Sequence, residues 1–142
     1  MSDIVKIIIK GASGYCCSEE AYNDKLTITS DMISYEYIPL LETEVNPKRK
    51  WRYKTDSPVF KKLYGSVVEM LPRYLEEDKE CFCTDVGGIE FHVLYSDKSK
   101  YKKVYWVPGD EFIELFRVIK LLIPATEETP AVILTSDDFE YE

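Results

Sequence analysis

Four cysteines are the first residues of this sequence that could carry chemistry, because thiolates bind metals, form disulfides and act as nucleophiles. They occur as two pairs, Cys16-Cys17 and Cys81-Phe82-Cys83. Structural zinc sites separate their paired cysteines by about two to four residues, so these spacings fit a zinc site poorly. We expect unlinked thiols with no metal and no cofactor. A four-thiolate zinc site and a disulfide are the less favoured alternatives.

The single histidine, His92, is the second candidate for chemistry, and Cys81, Cys83 and Asp85 lie close to it in the sequence. A cysteine–histidine pair can act as an activated nucleophile. His92, however, falls in a strand-like segment on the face opposite to its apolar neighbours, so we expect a sheet-surface residue and predict that the protein is not an enzyme. The alternative is a ligand-binding or enzymatic site near Cys83 and His92 that forms only in three dimensions.

Two strand-like segments interleave cations with aromatic residues, a combination found in nucleic-acid-binding surfaces. These segments contain Lys48, Arg49, Lys50, Trp51, Arg52, Tyr53 and Lys54, and Lys98, Lys100, Tyr101, Lys102, Lys103 and Tyr105. The chain as a whole is acidic, with a net charge of −8, which opposes nonspecific binding to nucleic acid or to an anionic membrane. We therefore expect solvated strands whose lysines discourage aggregation, and no direct nucleic-acid binding.

Acidic residues are concentrated away from these basic strands, in a loop and in the C-terminal tail. Such a separation of charge favours a contact with another protein over an active site. The residues that we predict to bind a partner are Glu19, Glu20, Trp51, Tyr53, Tyr101, Tyr105, Asp137 and Asp138.

These features predict a small, soluble, non-enzymatic interaction or regulatory module with a protein partner. Assembly into a homo-oligomer, such as a dimer, is a further alternative. The alternative is an acidic stoichiometric inhibitor of a nucleic-acid-handling effector, of the anti-CRISPR-like, DNA-mimic type, which requires the predicted acidic residues to cluster. The sequence has no signal-peptide pattern and no run of about 20 apolar residues, so we expect a cytoplasmic protein without membrane contact.

Residues 87–124 are the stretch around which the other elements are organised. Segment 89–95 alternates apolar and polar side chains, and segment 101–107 follows it after a polar turn, as in a β-hairpin. We expect Phe91 to lie opposite Trp106, because the apolar faces of the two strands then coincide.

Two segments carry apolar side chains at helical spacing. Ser57-Pro58 predicts the start of the first helix, which should end before Pro72. Asp110 is expected to cap the second helix, which should end at Pro124. The predicted apolar faces are those of Phe60, Leu63, Tyr64, Val67, Met70 and Leu71, and of Phe112, Leu115, Phe116, Ile119, Leu122 and Ile123.

The 142 residues suit one domain, with a long loop at 11–24 and a frayed acidic tail at 136–142. The remaining strands are expected at 4–10, 25–29, 33–41, 48–55 and 131–135. A shift of 52 residues superimposes the two helices, so the chain either contains two strand–strand–helix repeats or shows only the period common to amphipathic helices. Either explanation predicts an α+β fold, a mainly antiparallel sheet with two helices packed on one face.

Overall fold

The structure, a computed structural model, describes residues 3–13, 21–76, 88–107 and 109–138. The four cysteines, Glu19 and Glu20 lie outside these ranges. The expectations about thiol chemistry and about an acidic cluster that includes Glu19 and Glu20 therefore stay predictions.

Six antiparallel strands form one sheet in the spatial order β4-β3-β2-β1-β5-β6. Their bounds are β1 Ile4–Ala12, β2 Tyr22–Thr29, β3 Met32–Pro39, β4 Arg49–Lys54, β5 Ile89–Tyr95 and β6 Lys100–Tyr105. The isoleucine-rich β1 lies in the centre of the sheet, where a β-branched strand can pack and pair on both sides. The predicted loop 11–24 is wrong at both ends, because β1 and β2 pair as far as Ala12 and Asn23.

Two helices, α1 Pro58–Leu75 and α2 Ile113–Lys120, pack on the same face of this sheet and share one hydrophobic core with it. The predicted α+β fold is thereby confirmed. The predicted start of α1 is also confirmed: the hydroxyl of Ser57 accepts a hydrogen bond from the Phe60 N–H at 3.5 Å, and Pro58 occupies the first turn.

The predicted end of α1 is wrong, because the helix continues through Pro72 to Leu75. A proline inside a helix removes one backbone hydrogen bond. Strand β6 supports the last turn instead, since the Tyr105 hydroxyl donates to the Tyr74 carbonyl at 2.8 Å and the Tyr101 hydroxyl donates to the Leu75 carbonyl at 3.4 Å. Two terminal carbonyls of the helix thus have partners from the sheet.

Helix α2 is shorter than predicted at both ends. Residues Gly109–Phe112 form a turn of 3-10 helix before it, and it ends at Lys120 rather than at Pro124. Asp110 does not cap α2. Its carboxylate instead accepts a hydrogen bond from the Ser136 N–H at 2.6 Å. The predicted apolar face is confirmed at five positions, which are buried: Phe112, Leu115, Phe116, Ile119 and Leu122.

The predicted hairpin register is wrong by three residues, because Phe91 lies opposite Lys103 rather than Trp106. The turn is a tight one in which the Lys98 N–H donates to the Tyr95 carbonyl at 2.9 Å and Lys98 itself adopts a φ of 73°. A shift by an odd number of residues exchanges the two faces of a strand. Tyr105 is therefore buried, and Trp106 is 62% exposed.

The hairpins β3-β4 and β5-β6, each followed by a helix, occupy opposite ends of the sheet. This placement is compatible with a duplicated unit, although the first part of the chain also contributes β1 and β2 at the centre. The duplication itself stays a prediction.

The segment after α2 is not the strand that we predicted. Residues Ala131–Ile133 form a 3-10 turn that packs against β1 and β2 on the helix side of the sheet. Two of its N–H groups bind side chains rather than a strand edge: Val132 donates to the Asp24 carboxylate at 2.9 Å, and Ala131 donates to the Tyr35 hydroxyl at 3.2 Å. A short apolar run is typical both of a strand and of a buried turn. Here the hydrogen bonds with side chains favour the turn.

Candidate functional site

The two faces of the sheet differ because successive side chains of a strand point in opposite directions. On β1, Ile7 and Ile9 are fully buried under the helices, whereas Lys6 and Ile8 point the other way and stay partly accessible. We call the first side the covered face and the second the open face. In the described part of the chain, the open face consists of Lys6, Ile8, Lys10, Ala12, Asn23, Lys25, Thr27, Thr29, Met32, Ser34, Glu36, Ile38, Lys50, Arg52, Lys54, Glu90, His92, Leu94, Lys100, Lys102 and Val104, none of which is buried.

The open face is strongly basic, although the chain has a net charge of −8. Its cations outnumber its carboxylates by eight to two, the carboxylates being Glu36 and Glu90. Pairing between strands brings these cations together from distant parts of the sequence; for example, Lys10 of β1 lies directly opposite Lys25 of β2. Like charges so placed repel each other, which an anionic partner would relieve.

Two adjoining grooves cross the open face and share Lys6 as a lining residue. The larger groove, of about 680 Å³, lies over β2, β3 and β4 and is lined mainly by polar side chains, among them Lys25, Ser34 and Arg52. The smaller groove, of about 390 Å³, lies over β1, β5 and β6, and Ile8 contributes to its floor. Both volumes lie within the roughly 300–1,000 Å³ that ligand clefts occupy.

One carboxylate of the open face already has cationic or polar neighbours. An oxygen of Glu90 lies 2.6 Å from His92 Nε2, and its other oxygen lies 3.3 Å from Lys102 Nζ. The hydrogen bond with His92, helped by Lys102, lowers the pKa of the Glu90 carboxyl. Glu90 is therefore ionised at neutral pH, and His92 is part of the sheet surface, as predicted from its position in the alternation.

The aromatic residues predicted to bind a partner lie on the other side of their strands from most of the cations. Trp51 packs beside the Tyr35 ring, with ring centroids 6.0 Å apart, and Tyr53, 39% exposed, lies near Phe60. Tyr101 and Tyr105 contact α1 from the covered face. The pleat thus places most of the interleaved aromatic and basic residues on two different surfaces. Arg49 and Lys103 are the exceptions in these strands, because they lie 4.3 Å from the Tyr37 ring centroid and 5.7 Å from that of Tyr105.

The two predicted acidic residues within the described ranges, Asp137 and Asp138, bind to α2. The Asp137 carboxylate lies 2.6 Å from Arg117 Nε, and that of Asp138 lies 2.6 Å from Lys120 Nζ. The hydrogen bond with Arg117 lowers the pKa of the Asp137 carboxyl. The expectation of a frayed tail at 136–142 is wrong for its first three residues, because Ser136–Asp138 form a 3-10 turn.

Sequence reasoning missed one buried acid, Asp24, on the covered face of β2. Its carboxylate accepts hydrogen bonds from the Tyr35 hydroxyl at 2.8 Å and from the Val132 N–H at 2.9 Å, while its Oδ1 atom has no hydrogen-bond partner within the described chain. Burial raises the pKa of this carboxyl despite these bonds. Asp24 therefore connects the C-terminal segment to the sheet. The sequence indicated its inward position only through its alternation with Leu26 and Ile28, which face the core.

The cations of β1 and β2 were also missed as site residues. Lys6, Lys10 and Lys25 are isolated positive charges in apolar strands, and only their alternation with buried residues indicated that they share a face. Among the residues that the structure describes, no group of three or more histidine, cysteine, aspartate or glutamate side chains could hold a metal ion.

Comparison with known proteins finds no matching family model, no matching curated protein and no matching solved structure. Within the described ranges, no helix has both the length and the apolar character needed to cross a membrane. The predicted cytoplasmic location stays a prediction. A functional assignment therefore depends on the surface of this molecule alone.

Proposed function

We propose that this protein is a non-enzymatic interaction module whose open face binds an acidic surface of another protein. The observation that carries this proposal is that eight cations and two carboxylates lie on a sheet face that no described element covers. The proposal keeps the predicted class of protein. It replaces the predicted acidic and aromatic contact residues with the lysines and Arg52 of the open face.

An acidic protein surface suits the open face better than single-stranded nucleic acid does. Proteins that bind single strands combine cations with aromatic rings on which bases stack. By strand alternation the open face carries His92 as its aromatic side chain, and the tyrosines and Trp51 belong to the covered face. Tyr35 and Trp51 also line the larger groove, and Tyr101 lines the smaller one, but they are not arranged as a row along the open face. Its cations instead surround aliphatic side chains, Ile8 and Leu94 among them, which supply the apolar contacts of a protein interface.

The size of the open face suits a small interface. Six strands spaced by about 4.8 Å, with about seven residues of about 3.3 Å along each, give a face on the order of 700 Å². Standard interfaces bury about 800 Å² on each partner, so this face lies slightly below the standard size. Charge complementarity would then contribute chiefly to the rate and specificity of association.

Two copies of this protein would not pair through their open faces. Such a dimer would place the cations of Lys10 and Lys25 against those of a second copy, and like charges at contact distance oppose association. The predicted homo-oligomer would therefore need a different surface.

The acidic-inhibitor alternative gains no support from the described residues. It requires Glu19, Glu20, Asp137 and Asp138 to cluster, and Glu19 and Glu20 lie outside the described residues. Asp137 and Asp138 are each paired with a cation of α2. We do not carry it further as a proposed function.

Charge reversal on opposite sides of the molecule tests the proposal. Lys25→Glu, Lys50→Glu and Arg52→Glu are combined on the open face, and Lys61→Glu, Lys62→Glu and Arg73→Glu form a matched control on the exposed side of α1. Both variants change the net charge equally. The probe is a fluorescein-labelled peptide of about fifteen glutamates, whose binding is measured by fluorescence anisotropy between about 20 and about 200 mM NaCl.

We expect the wild-type protein to bind this peptide with an affinity that falls as salt increases. The open-face variant should bind at least about tenfold more weakly, and the control should change by less than about threefold. Absence of binding at low salt, or equal weakening in both variants, would contradict the proposal. Tighter binding of a single-stranded oligothymidine of the same length would reassign the open face to nucleic acid.

A further inference from the structure

We infer that the smaller groove of the open face selects acidic segments that carry one large apolar side chain. This inference rests on the proposed function and narrows the partner to a segment in which an apolar anchor is flanked by carboxylates. It depends on the arrangement of five residues around this groove: Lys6, Ile8, Leu94, Lys100 and Lys102.

The groove has an aliphatic centre between two sets of cations. Leu94 of β5 lies directly opposite Lys6 of β1 on one side and Lys100 of β6 on the other. Ile8 lies in the next row of the same face, opposite His92, which in turn lies opposite Lys102. The Cβ atoms of residues directly opposite each other on neighbouring strands lie about 4.5–5.5 Å apart. Each apolar side chain of the groove therefore has a cation or a polar group within reach.

Ile8 and Leu94 remain partly accessible although they are aliphatic, and no described element packs on them. An apolar side chain that enters the groove would remove their remaining surface from water. Carboxylates on either side of that anchor would then meet Lys6 and Lys100, and a further carboxylate could share Lys102 with Glu90. The groove therefore matches the order carboxylate, apolar residue, carboxylate in a partner.

The larger groove does not offer the same environment. Its lining includes the small polar side chains of Thr27 and Ser34 and a carboxylate of its own, Glu36. Its aliphatic lining residue is Met32, and its other apolar lining comes from the aromatic residues Tyr35 and Trp51. Because the two grooves meet at Lys6, an acidic segment anchored in the smaller groove can continue over the cations of the larger one.

Two peptides of equal charge test this inference. Each has about fourteen glutamates, with a central phenylalanine in one and a central serine in the other, and both are labelled with fluorescein. Fluorescence anisotropy at about 20 mM NaCl compares their affinities for the wild-type protein, for the double variant Ile8→Thr with Leu94→Thr, and for the control Met32→Thr. Threonine is chosen because it preserves the charge and suits a strand.

The wild-type protein should bind the phenylalanine peptide about tenfold more tightly, since an aromatic side chain has a large apolar area to bury. The double variant should lose this preference while keeping its affinity for the serine peptide, and Met32→Thr should keep the preference. Thermal unfolding checks that each variant is folded. If the double variant is unfolded, the single variant Leu94→Gln replaces it, and a reduced preference is again expected.

The outcomes separate the inference from the proposed function. Equal binding of both peptides by the wild-type protein, or a preference that survives loss of Ile8 and Leu94, overturns the inference and leaves the basic open face as the binding surface. Failure of both peptides to bind overturns the proposed function as well.

Discussion

The covered and the open faces of one sheet have opposite chemistry, although the same six strands form both. In β1 the contrast occurs between neighbouring residues: Ile7 and Ile9 are fully buried, whereas Lys6 and Ile8 remain partly accessible on the other side. The covered face holds the aromatic core, and the open face holds most of the strand cations. A chain with a net charge of −8 can therefore present a basic surface, and net charge is a poor guide to what one face binds.

This contrast predicts that substitutions on the covered face change stability and that substitutions on the open face change binding. The largest effect on stability is expected at Phe112, whose ring centroid lies between 5.1 and 5.9 Å from those of Tyr74, Phe91, Tyr105 and Phe116. Phe112→Ala should lower the free energy of unfolding by about 3–5 kcal/mol, because it leaves a cavity among these rings.

The open-face counterpart is Ile8→Thr, which should cost less than about 1 kcal/mol. Urea unfolding, followed by far-UV circular dichroism, measures both variants under the same conditions. Similar losses in the two variants would mean that the faces do not divide stability and binding as we describe.

Two glycines test the same comparison through smaller expected changes in the free energy of unfolding. A Cβ atom at Gly11 would meet the Asp24 carboxylate and would lie 2.8 Å from the Val132 Cβ atom, whereas a Cβ atom at Gly65 of α1 meets nothing within 4 Å. Gly11→Ala should therefore lower the free energy of unfolding by about 1–3 kcal/mol. Gly65→Ala should raise it by about 0.5–1 kcal/mol, because alanine loses less conformational entropy in a helix.

The same urea titration distinguishes these outcomes. A gain in stability from Gly11→Ala would show that the C-terminal segment does not press against β1. A loss of stability from Gly65→Ala would show that another part of the chain approaches this side of α1.

The smallest effect that we predict is the pH dependence due to Asp24 on the covered face. Burial raises the pKa of this carboxyl in the folded state, so the stability that it contributes at acidic pH is lost as the pH rises through that folded value. An asparagine side chain at this position would keep an acceptor for the Val132 N–H without a buried charge. Asp24→Asn should therefore gain stability relative to the wild-type protein as the pH rises above the ordinary carboxyl pKa of about 4.

Urea unfolding at several pH values in this range measures the difference between the two proteins. A difference that is constant with pH, or that changes in the opposite direction, would show that the carboxyl of Asp24 titrates as if it were exposed.

Apolar periodicity was sufficient to predict all six strands, both helices and their packing on one face, because each pattern is local. The register of the β5–β6 hairpin was not predictable in this way. It depends on Lys98 adopting a positive φ, and no glycine or asparagine at that position signals it. The 3-10 turn at Ala131–Ile133 depends on Asp24 and Tyr35, which lie about a hundred residues earlier in the chain.

The candidate site was less accessible to sequence reasoning than the fold. Its cations come from β1, β2, β4 and β6, and only the sheet order places them on one face. Sequence neighbours such as Trp51 and Arg52 suggested a mixed aromatic and basic surface, whereas the pleat assigns them to opposite sides. The sequence pattern shows which residues alternate within one strand, but it does not show the order of the strands in the sheet. Both are needed to place these cations on one face.

Methyl NMR of Ile7, Ile8 and Ile9 is the most direct test of the central claim that the two faces of the sheet have separate roles. The protein is labelled at its isoleucine methyl groups and titrated with the glutamate peptide that has a central phenylalanine. We predict that the Ile8 methyl resonance shifts on binding while those of Ile7 and Ile9 shift much less, because Ile8 alone of these three residues lies on the open face. Shifts of Ile7 and Ile9 as large as that of Ile8, or binding that leaves Ile8 unperturbed, would contradict the account.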